Sequence, residues 1–243
     1  MISILFPLYN EQDNVIHYNS DLFPIIDDIA LKTGEKFEFV FIDDGSEDDT
    51  VEKIRAITNA RMDVKVLVHQ KNSGMGAAIM TGLGSSIGEL IITMDADLTF
   101  RPSDVLKLIE KYRETDADCI SGSPYLKKGL MEEVTPFRLL MSKSVNFLYR
   151  MLLRSKISCV SPIFRLYRRN VLTGMSISSR NFEINAEIIS KLLINGNKVV
   201  EIPVPLLKRK YGNSKINLKK EIKNYTLLLF KIFKTKYLHQ EWS

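Results

Sequence analysis

The sequence predicts an α/β fold with a mixed, mainly parallel β-sheet flanked by helices, and three observations support this class. Short apolar runs alternate with helix-like segments over about the first 120 residues, which is the pattern of parallel strands joined by crossover helices. Acidic residues directly follow several of these runs. After Tyr125 the alternation gives way to basic amphipathic helices and a few strands. We therefore expect a sheet domain with amphipathic helices towards its C-terminus.

Seven apolar runs are predicted to form the strands, because each is short and is followed by turn-forming or charged residues. The predicted strands are 2–8, 37–42, 64–68, 90–94, 119–121, 164–168 and 199–203. Helices are predicted at 14–32, from about residue 50, and at 74–86, 102–113, 138–156, 184–194 and 219–236. Pro102 supports the start of its helix, since proline is favoured in the first turn.

Composition excludes several classes of protein. Hydrophobic residues make up 45% and charged residues 26% of the 243 residues, which is ordinary for a globular protein and unlike a disordered chain. The two cysteines, Cys119 and Cys159, are too few for a disulfide framework, and no segment has the pattern of a secretory signal. No run approaches the roughly 18 to 20 apolar residues of a membrane span. We expect a cytoplasmic protein that does not cross a bilayer.

Charge is divided unevenly along the chain. Residues 1–125 contain 11 Lys and Arg against 22 Asp and Glu, a net charge of −11, whereas residues 126–243 contain 23 against 7, a net charge of +16. Such segregation indicates an anionic partner for the second half, and charge alone leaves nucleic acid and an anionic membrane as candidates. The segment 138–156 interleaves apolar and basic residues, which suits a helix on a membrane and equally a helix packed on a core.

The segment 94–98 places two carboxylates, Asp95 and Asp97, at the end of an apolar run. Ligands of open α/β sheets bind outside the carboxyl ends of the strands, so this position suits a site. Mg²⁺ and Mn²⁺ take oxygen ligands and usually keep water and substrate phosphates in their remaining positions. The Asp-Ala-Asp tripeptide alone is a weak signal, because turns also use carboxylates. Other polar strand ends beside it strengthen the prediction.

Two further strand ends carry such polar residues. Asp43 and Asp44 follow the second strand, where they could accept hydrogen bonds from a nucleoside or could instead serve the turn and the next helix. The first strand ends in a segment that contains Pro7, Tyr9 and Glu11. The ring of Tyr9 could stack on a base, and the carboxylate of Glu11 could bind the base edge or the ribose. Three strand ends are therefore predicted to meet on one rim.

Taken in order, four segments resemble those of inverting family 2 glycosyltransferases with the GT-A fold, most of all the dolichol-phosphate and polyprenyl-phosphate mannose synthases. They are 7–11, 42–49, 72–82 and 94–98, and the resemblance continues through 121–125, 164–169, 201–204 and 208–215. It implies a GT-A domain at 1–216, followed by a basic amphipathic helix at 217–243. Within that domain, 1–125 is implied to bind nucleotide sugar and metal, and 126–216 to bind the acceptor.

The resemblance also implies roles for single residues. The residues implied to hold the donor are Pro7, Tyr9, Glu11, Asp43, Asp44, Gly76, Asp95, Ala96, Asp97, Arg209 and Lys215. Asp95 and Asp97 are implied to bind the divalent metal, Mg²⁺ or Mn²⁺, and to form the catalytic group with Arg138, Arg209 and Lys215. Arginine suits phosphate, because its guanidinium binds two oxygens at once. Gly76 lies in a small-residue segment that either approaches the donor or packs a helix on the sheet.

Three positions depart from the family pattern. Pro124 stands where relatives commonly carry an arginine, and the segment 159–164 reads Cys-Val-Ser-Pro-Ile-Phe where they commonly read Asp-x-Thr-Ser-Gly-Phe. Thr99 stands where a metal-contacting glutamine or serine is common. The donor side is therefore expected to match the family more closely than the acceptor side.

The expected reaction moves a sugar, with mannose favoured, from GDP-mannose or a UDP-sugar to polyprenyl or dolichyl phosphate, at the cytoplasmic face of a membrane and with inversion. An acceptor phosphate is already anionic near neutral pH and needs no base. A hydroxyl acceptor would need one, and Glu183 and Glu187 are the candidates. The three histidines, His17, His69 and His239, share no motif, so we expect them to be surface or structural residues.

The same residues allow or disfavour several alternative functions. A transferase using UDP-glucose and a hydroxyl acceptor stays open, as does a retired transferase that only binds nucleotide sugar or membrane. A dinucleotide-binding dehydrogenase is disfavoured, because Gly74 and Gly76 are followed by Ile79 where a third glycine is needed. A P-loop enzyme is excluded, because the sequence contains no Gly-Lys-Ser/Thr motif. A nucleic-acid binder is disfavoured, since aromatic residues are not interleaved with the basic ones.

Overall fold

One seven-stranded sheet forms the centre of the protein, which we describe from a computed structural model for residues 1–132, 135–212, 218–238, 240 and 242. The strands are β1 (Ile2–Leu8), β2 (Phe37–Asp43), β3 (Val64–Val68), β4 (Leu90–Thr93), β5 (Cys119–Ser123), β6 (Arg165–Arg168) and β7 (Val199–Pro203). Their order across the sheet is β3-β2-β1-β4-β6-β5-β7. All seven predicted strands are confirmed, with ends that differ by at most a few residues.

Every pairing in this sheet is parallel except those of β6, which runs antiparallel to both β4 and β5. β1 and β2 are buried almost throughout, because helices cover both faces of the sheet, as parallel sheets require. The parallel order β2-β1-β4 places the carboxyl ends of these three strands side by side. The predicted mixed, mainly parallel α/β fold is confirmed.

Ten α-helices surround the sheet in the described residues, together with a 3₁₀ turn at Pro102–Asp104. They are α1 (Gln12–Val15), α2 (Tyr18–Asp21), α3 (Phe23–Thr33), α4 (Thr50–Thr58), α5 (Met75–Ser85), α6 (Val105–Thr115), α7 (Pro136–Leu153), α8 (Arg169–Thr173), α9 (Ile184–Ile194) and α10 (Leu218–Leu238). The single helix predicted at 14–32 is wrong. It is broken into α1, α2 and α3. Pro24 accounts for the break between α2 and α3, because it lies in the first turn of α3 and has no N–H to continue a helix through Leu22.

Two hydrophobic clusters fill the two sides of the sheet. One is rich in aromatic rings, with Phe6 stacked on Phe41 at a centroid distance of 5.0 Å and Tyr18 stacked on Phe41 at 5.6 Å. The other lies under α5, α7, α9 and α10, where Tyr149 of α7 and Ile232 of α10 are fully buried. Both late amphipathic helices therefore contribute one face to the core.

The outer faces of α7 and α10 carry apolar side chains that remain exposed. These are Leu140, Met141, Phe147, Leu148 and Met151 on α7, and Ile222, Leu227, Phe230, Phe233, Tyr237 and Leu238 on α10. The two helices also contact each other, since the Tyr149 hydroxyl donates to the Tyr225 carbonyl at 3.1 Å and the Tyr237 hydroxyl donates to the Leu152 carbonyl at 3.1 Å. Within the described part of the chain, no helix combines the length and the apolar character needed to cross a bilayer.

Candidate active site

The predicted rim forms where β1, β2 and β4 end. Glu11 follows β1, Asp44 follows β2, and Asp95 and Asp97 follow β4. The turn that follows β4 is held by Tyr18, whose buried hydroxyl donates to the carbonyl of Ala96 at 2.7 Å. The parallel sheet thus gathers at one edge carboxylates that are far apart in sequence.

Arg209 bridges two of these carboxylates. Its Nε donates to Oδ2 of Asp97 at 2.7 Å, and its Nη2 donates to Oε1 of Glu11 at 2.8 Å. The other oxygen of Asp97 accepts the backbone N–H of Thr99 at 3.1 Å. The structure therefore brings together Glu11, Asp97 and Arg209, three of the residues predicted to form the site.

Asp95 differs from Asp97, because its carboxylate accepts no hydrogen bond from the described residues. Burial, and then the charge of Asp97, hold the pKa of Asp95 well above its usual range. A divalent cation would reverse this effect by favouring the charged carboxylate. An aspartate pair with one unengaged carboxylate suits a hard cation that takes its other ligands from phosphate and water.

The protein part of a cation site is limited to this pair. Among the residues that the structure describes, no three Asp, Glu, His or Cys side chains are arranged to hold a metal ion together. Asp95 and Asp97 would supply two oxygen ligands, and the substrate diphosphate and water would supply the rest, as is common for Mg²⁺. The residues present therefore fit the predicted metal.

Glu11 is already engaged on both oxygens. Oε2 accepts the Asn14 side-chain N–H at 2.6 Å, and Oε1 accepts Arg209. Burial raises the pKa of Glu11, although the neighbouring Arg209 opposes the rise. A cavity of about 340 Å³ opens beside it, lined by Asn10, Glu11, Gln12, Asp13, Asn14, Glu47, Asp48 and Gly212. Pro7 and Tyr9 lie half-buried at the end of β1, and their contact with a nucleoside stays a prediction.

Asp43 and Asp44 are both engaged by protein donors. The Asp43 carboxylate accepts the backbone N–H groups of Gly45 at 3.1 Å and Ser46 at 2.9 Å, together with the Ser46 hydroxyl. Asp44 accepts the N–H groups of Ser73 at 2.9 Å and Gly74 at 2.7 Å. The turn-forming alternative is therefore present for both residues, and a direct role in nucleoside binding stays a prediction.

Asp44 also orients a histidine that motif analysis did not assign to the site. His69 Nδ1 donates to Asp44 at 2.8 Å, and its Nε2 contacts the Thr81 hydroxyl at 2.9 Å. Of the other histidines, His17 stacks on Tyr211 at a centroid distance of 3.9 Å, and His239 lies outside the described residues. His17 and His69 therefore make contacts of a structural kind, and their expected structural roles stay predictions.

Gly76 lies at the start of α5 against the loop that precedes α9. Its N–H donates to the carbonyl of Arg180 at 2.7 Å, and a Cβ atom at this position would lie 2.3 Å from the carbonyl oxygen of Ser179. Gly74 is still tighter, with a φ of +95°, and a Cβ atom there would lie 2.1 Å from the carbonyl oxygen of Arg180. The structure accounts for both glycines by close packing, and a contact of Gly76 with the donor stays a prediction.

Two predicted phosphate ligands cannot be placed. Arg138 lies in the first turn of α7, but its side chain is outside the described residues, and so is the whole of Lys215. Pro124, at the position of the family's arginine, is buried at the end of β5. The neighbouring Tyr125 hydroxyl donates to Ser142 of α7 at 2.6 Å. The roles of Arg138 and Lys215 stay predictions.

Side chains from three directions hold the 158–164 loop, which departs most from the family pattern. Glu201 accepts the N–H groups of Ser158 at 2.6 Å and Cys159 at 3.2 Å. Asn146 of α7 accepts the N–H of Val160 at 3.1 Å, and the fully buried Arg165 donates to the carbonyl of Val160 at 2.7 Å. Sequence analysis missed Glu201, Asn146 and Arg165 as supports of this loop.

The two candidate bases for a hydroxyl acceptor are occupied by other contacts. Glu187 is fully buried and accepts Ser178 N–H at 3.0 Å, Ser179 N–H at 2.7 Å and the ammonium group of Lys191 at 2.7 Å. Burial alone would raise the pKa of Glu187, but these hydrogen bonds hold it below its ordinary value. Glu183 accepts the side-chain N–H of Asn224 on α10 at 3.1 Å. Neither carboxylate is placed as a free base.

Comparison with known proteins places the chain in a family. The model of glycosyl transferase family 2 matches residues 3–174. Dolichol-phosphate mannosyltransferase of Pyrococcus furiosus is 33% identical over 237 residues, which cover 96% of this chain and 64% of that protein. Undecaprenyl-phosphate 4-deoxy-4-formamido-L-arabinose transferase of Klebsiella pneumoniae is 29% identical over 215 residues, which cover 88% of this chain and 62% of that protein. The chain thus spans just under two thirds of each curated relative.

Solved structures share the fold at much lower identity. Glucosyl-3-phosphoglycerate synthase from Mycobacterium tuberculosis, in complex with Mn²⁺, UDP-glucose and phosphoglyceric acid, superposes with a TM-score of 0.67 at 14% identity, covering 97% of this chain and 79% of that one. Its complex with Mg²⁺ and UDP gives a TM-score of 0.68. The fold is that of GT-A glycosyltransferases. The chain belongs to glycosyltransferase family 2.

Proposed function

We propose that this chain is an inverting glycosyltransferase that moves a sugar, mannose in the first instance, from a nucleoside-diphosphate donor to a polyprenyl or dolichyl phosphate. The observation that carries this proposal is the Asp95 and Asp97 pair beside Arg209 at the carboxyl edge of the sheet. The two carboxylates can bind a metal that holds the donor diphosphate, and the guanidinium can bind phosphate oxygens directly. The two curated relatives, whose names refer to dolichol phosphate and undecaprenyl phosphate, support this choice of acceptor.

Asp95 and Asp97 would hold the divalent cation, which supplies charge neutralisation at the departing diphosphate when it is bound. Arg209 supplies a second positive charge that needs no cofactor, and its planar guanidinium can bind two phosphate oxygens. The acceptor phosphate attacks the anomeric carbon, the bond to the diphosphate breaks, and the configuration inverts. Preorganised positive charge at the leaving group lowers the barrier to this step.

The protein contacts of Glu183 and Glu187 favour a phosphate acceptor over a hydroxyl. A hydroxyl must lose a proton as it attacks, and a positioned base usually accepts it. Both glutamates are instead bound within the protein. A phosphate acceptor is anionic near neutral pH and avoids this requirement.

The proposal also places the enzyme at the cytoplasmic face of a membrane, where a lipid phosphate presents its head group. The exposed apolar faces of α7 and α10 support this location. Basic side chains on the same helices, including Lys143, Arg150, Lys223, Lys231 and Lys234, would add attraction to anionic lipid.

The test is sugar transfer from GDP-mannose, and in parallel from UDP-glucose, to a short polyprenyl phosphate with Mn²⁺ or Mg²⁺. We expect lipid-dependent release of GDP from GDP-mannose, its loss in EDTA, and its loss in Asp97→Asn. The matched control is Asp28→Asn, an exposed carboxylate that pairs with Lys32 on α3, and it should keep full activity. Transfer from UDP-glucose to a hydroxyl acceptor would favour the second donor class. Binding of a nucleotide sugar without any release would identify a binding module.

A further inference from the structure

Residues 206–212, here called the strap, follow β7 and cross the carboxyl edge of the sheet. Near the start of the strap, the Leu207 N–H donates to the carbonyl of Thr99 at 2.9 Å. Two residues later, the guanidinium of Arg209 reaches the carboxylate of Asp97 at 2.7 Å. The strap therefore carries the positive charge of the site, and its first part is fixed beside the turn that follows β4.

The other end of the strap is held by an aromatic stack. The ring of Tyr211 lies on the ring of His17, with centroids 3.9 Å apart and an angle of 17° between the planes. The Tyr211 carbonyl also accepts the side-chain N–H of the buried Asn14 at 3.5 Å. Stacked rings attract each other through buried area and through their charge distribution. The strap is thus anchored on both sides of Arg209.

A nearby ion pair is a weaker tie. The ammonium group of Lys210 lies 3.6 Å from the carboxylate of Asp21, and the Lys210 side chain is 66% exposed. Exposed ion pairs contribute little to stability, because water and salt screen them. We therefore assign the anchoring of this end of the strap to the stack and not to the ion pair.

The turn between α1 and α2 contributes to the site twice. Tyr18, the first residue of α2, holds the turn after β4 through its hydrogen bond to the carbonyl of Ala96. His17, the residue before it, holds the strap through the stack. Two consecutive residues therefore fix the two parts of the site that meet in the contact between Asp97 and Arg209.

We propose that His17 and Tyr211 are positioning residues for Arg209, whose guanidinium their stack holds beside the aspartate pair, where a metal-bound diphosphate would bind. In this role they act through Arg209 and need no contact with the donor. Without the stack, the strap beyond Leu207 gains backbone freedom, and ordering it again on binding costs affinity. The inference rests on the proposed function for the identity of the diphosphate, but its experiments need no turnover.

The first experiment tests the stack itself, by NMR of the histidine ring protons. The protons of His17 lie over the Tyr211 ring, which shields them, so Tyr211→Leu should move their signals downfield. Tyr211→Phe keeps a ring and should leave the signals near their wild-type positions. The matched control is Lys210→Met, which removes the exposed ion pair on the same strap and should not move them. His17→Phe assigns the signals among the three histidines of the sequence.

The second experiment measures the affinity for GDP and UDP in saturating Mn²⁺ by calorimetry. Tyr211→Leu should weaken the binding of whichever nucleotide the wild type prefers by about threefold to tenfold, the range that one aromatic pair supports. His17→Leu should give a similar loss. Tyr211→Phe should stay within about twofold of the wild type, because the stack is kept. Lys210→Met should also bind like the wild type.

A double-mutant cycle then asks whether Tyr211 acts through Arg209. Arg209→Met alone should weaken nucleotide binding, and adding Tyr211→Leu to it should cause no further loss. A residue that contacts the nucleotide directly, or that only supports the fold, would cause the same loss in both backgrounds. Thermal unfolding of each variant, expected to stay within a few degrees of the wild type, shows that it is folded.

Several results would overturn the inference. These are unmoved His17 signals or unchanged nucleotide affinity in Tyr211→Leu, a loss in Tyr211→Phe as large as that in Tyr211→Leu, and additive losses in the cycle. A loss that Tyr211→Phe avoids and that disappears in the Arg209→Met background supports it.

The positioning role and the proposed function can fail separately. If the wild type transfers sugar but the losses in the cycle are additive, the role of the stack is overturned and the transferase stands. If nucleoside diphosphate binds with the expected coupling but no sugar is transferred, the proposed function fails and the role of the stack stands. If the wild type binds no nucleoside diphosphate, both are overturned.

Discussion

Glu201 on β7 holds the backbone of Ser158 at the start of the 158–164 loop. One carboxylate oxygen accepts the Ser158 N–H at 2.6 Å, and the other accepts the Ser158 hydroxyl at 2.8 Å. The same carboxylate accepts the N–H of Cys159 at 3.2 Å. An edge strand of the sheet thereby fixes a loop that lies between β5 and β6, on the side expected to receive the acceptor.

Glu201→Gln is expected to lower the free energy of unfolding by about 1 to 2 kcal/mol, because an amide keeps one acceptor oxygen and turns an N–H towards a backbone donor. Urea unfolding checks this value. Ser158→Ala is the matched control, since it removes only the hydroxyl and keeps the backbone bond, and it should cost less. Equal stability of Glu201→Gln and the wild type would show that the loop does not depend on this carboxylate.

Two glycines of α5, Gly76 and Gly84, give opposite predictions. Gly76→Ala should destabilise the protein by about 1 to 3 kcal/mol, because its Cβ would lie 2.3 Å from the Ser179 carbonyl. Gly84→Ala, in the same helix with nothing within 4 Å of its Cβ, should stabilise it by about 0.5 to 1 kcal/mol.

Thermal unfolding of both glycine variants, followed by nucleotide titration below the melting temperature, tests the packing role. If Gly76→Ala keeps its stability but loses nucleotide affinity, the result would support a role of Gly76 in donor binding. Retained affinity in the folded variant would support the packing account.

The strands and the rim can be predicted because they depend on local patterns. An apolar run that ends in carboxylates is visible in any window of the sequence, and parallel strands then bring such ends together. The break at Leu22 is harder to predict, since the apolar spacing of 14–32 looks continuous and only Pro24 signals the turn. The structure shows that tertiary packing of Tyr18 and Phe23 into the aromatic core outweighs that local periodicity.

The partners of each carboxylate cannot be predicted in this way, because they depend on the path of the whole chain. Arg209 reaches Asp97 across 112 positions of sequence, and no motif records that contact. Asp44 is predicted to hold the donor, yet it accepts the N–H groups of Ser73 and Gly74. Carboxylates at strand ends indicate a polar rim, but the loops that arrive there decide which of them remain free for a ligand.

The third prediction concerns pH and Glu221 of α10, which is 9% exposed and has one carboxylate oxygen, Oε2, without a hydrogen-bond partner among the described residues. Burial, and then the charge of Glu183, raise the pKa of Glu221 to about 7, against the opposing charge of Lys220. In the unfolded chain the group ionises at about 4.5. Between these two values the folded state keeps a proton that the unfolded state has lost, so stability falls as the pH rises from about 4.5 to about 7 and then levels off.

Glu221→Gln should remove this dependence, because an amide resembles the protonated carboxyl. We expect the variant to exceed the wild type by about 1 to 2 kcal/mol in unfolding free energy at about pH 8 and to match it at about pH 4. Chemical denaturation at both pH values measures the difference. The control is Glu110→Gln on the exposed face of α6, which should give no pH-dependent difference. Equal stability of Glu221→Gln and wild type at pH 8 would contradict the prediction.

The last prediction concerns attachment to membranes through α7 and α10. Phe147 and Phe230 are 57% and 62% exposed although both helices bury their opposite faces in the core. We expect the protein to co-sediment with anionic vesicles at low salt and to be partly released at high salt, since each basic residue near the surface contributes about 1 kcal/mol that salt screens. Phe147→Ser and Phe230→Ser together should weaken this binding by removing hydrophobic insertion.

The matched control replaces Leu31 and Met62, which are 86% and 101% exposed on other parts of the surface, and it should bind like the wild type. An equal loss of vesicle binding in both double variants would mean that exposed apolar side chains contribute to binding wherever they lie on the surface, and not specifically on α7 and α10. Equal recovery in the supernatant with anionic, neutral and no vesicles would make a soluble acceptor the better proposal.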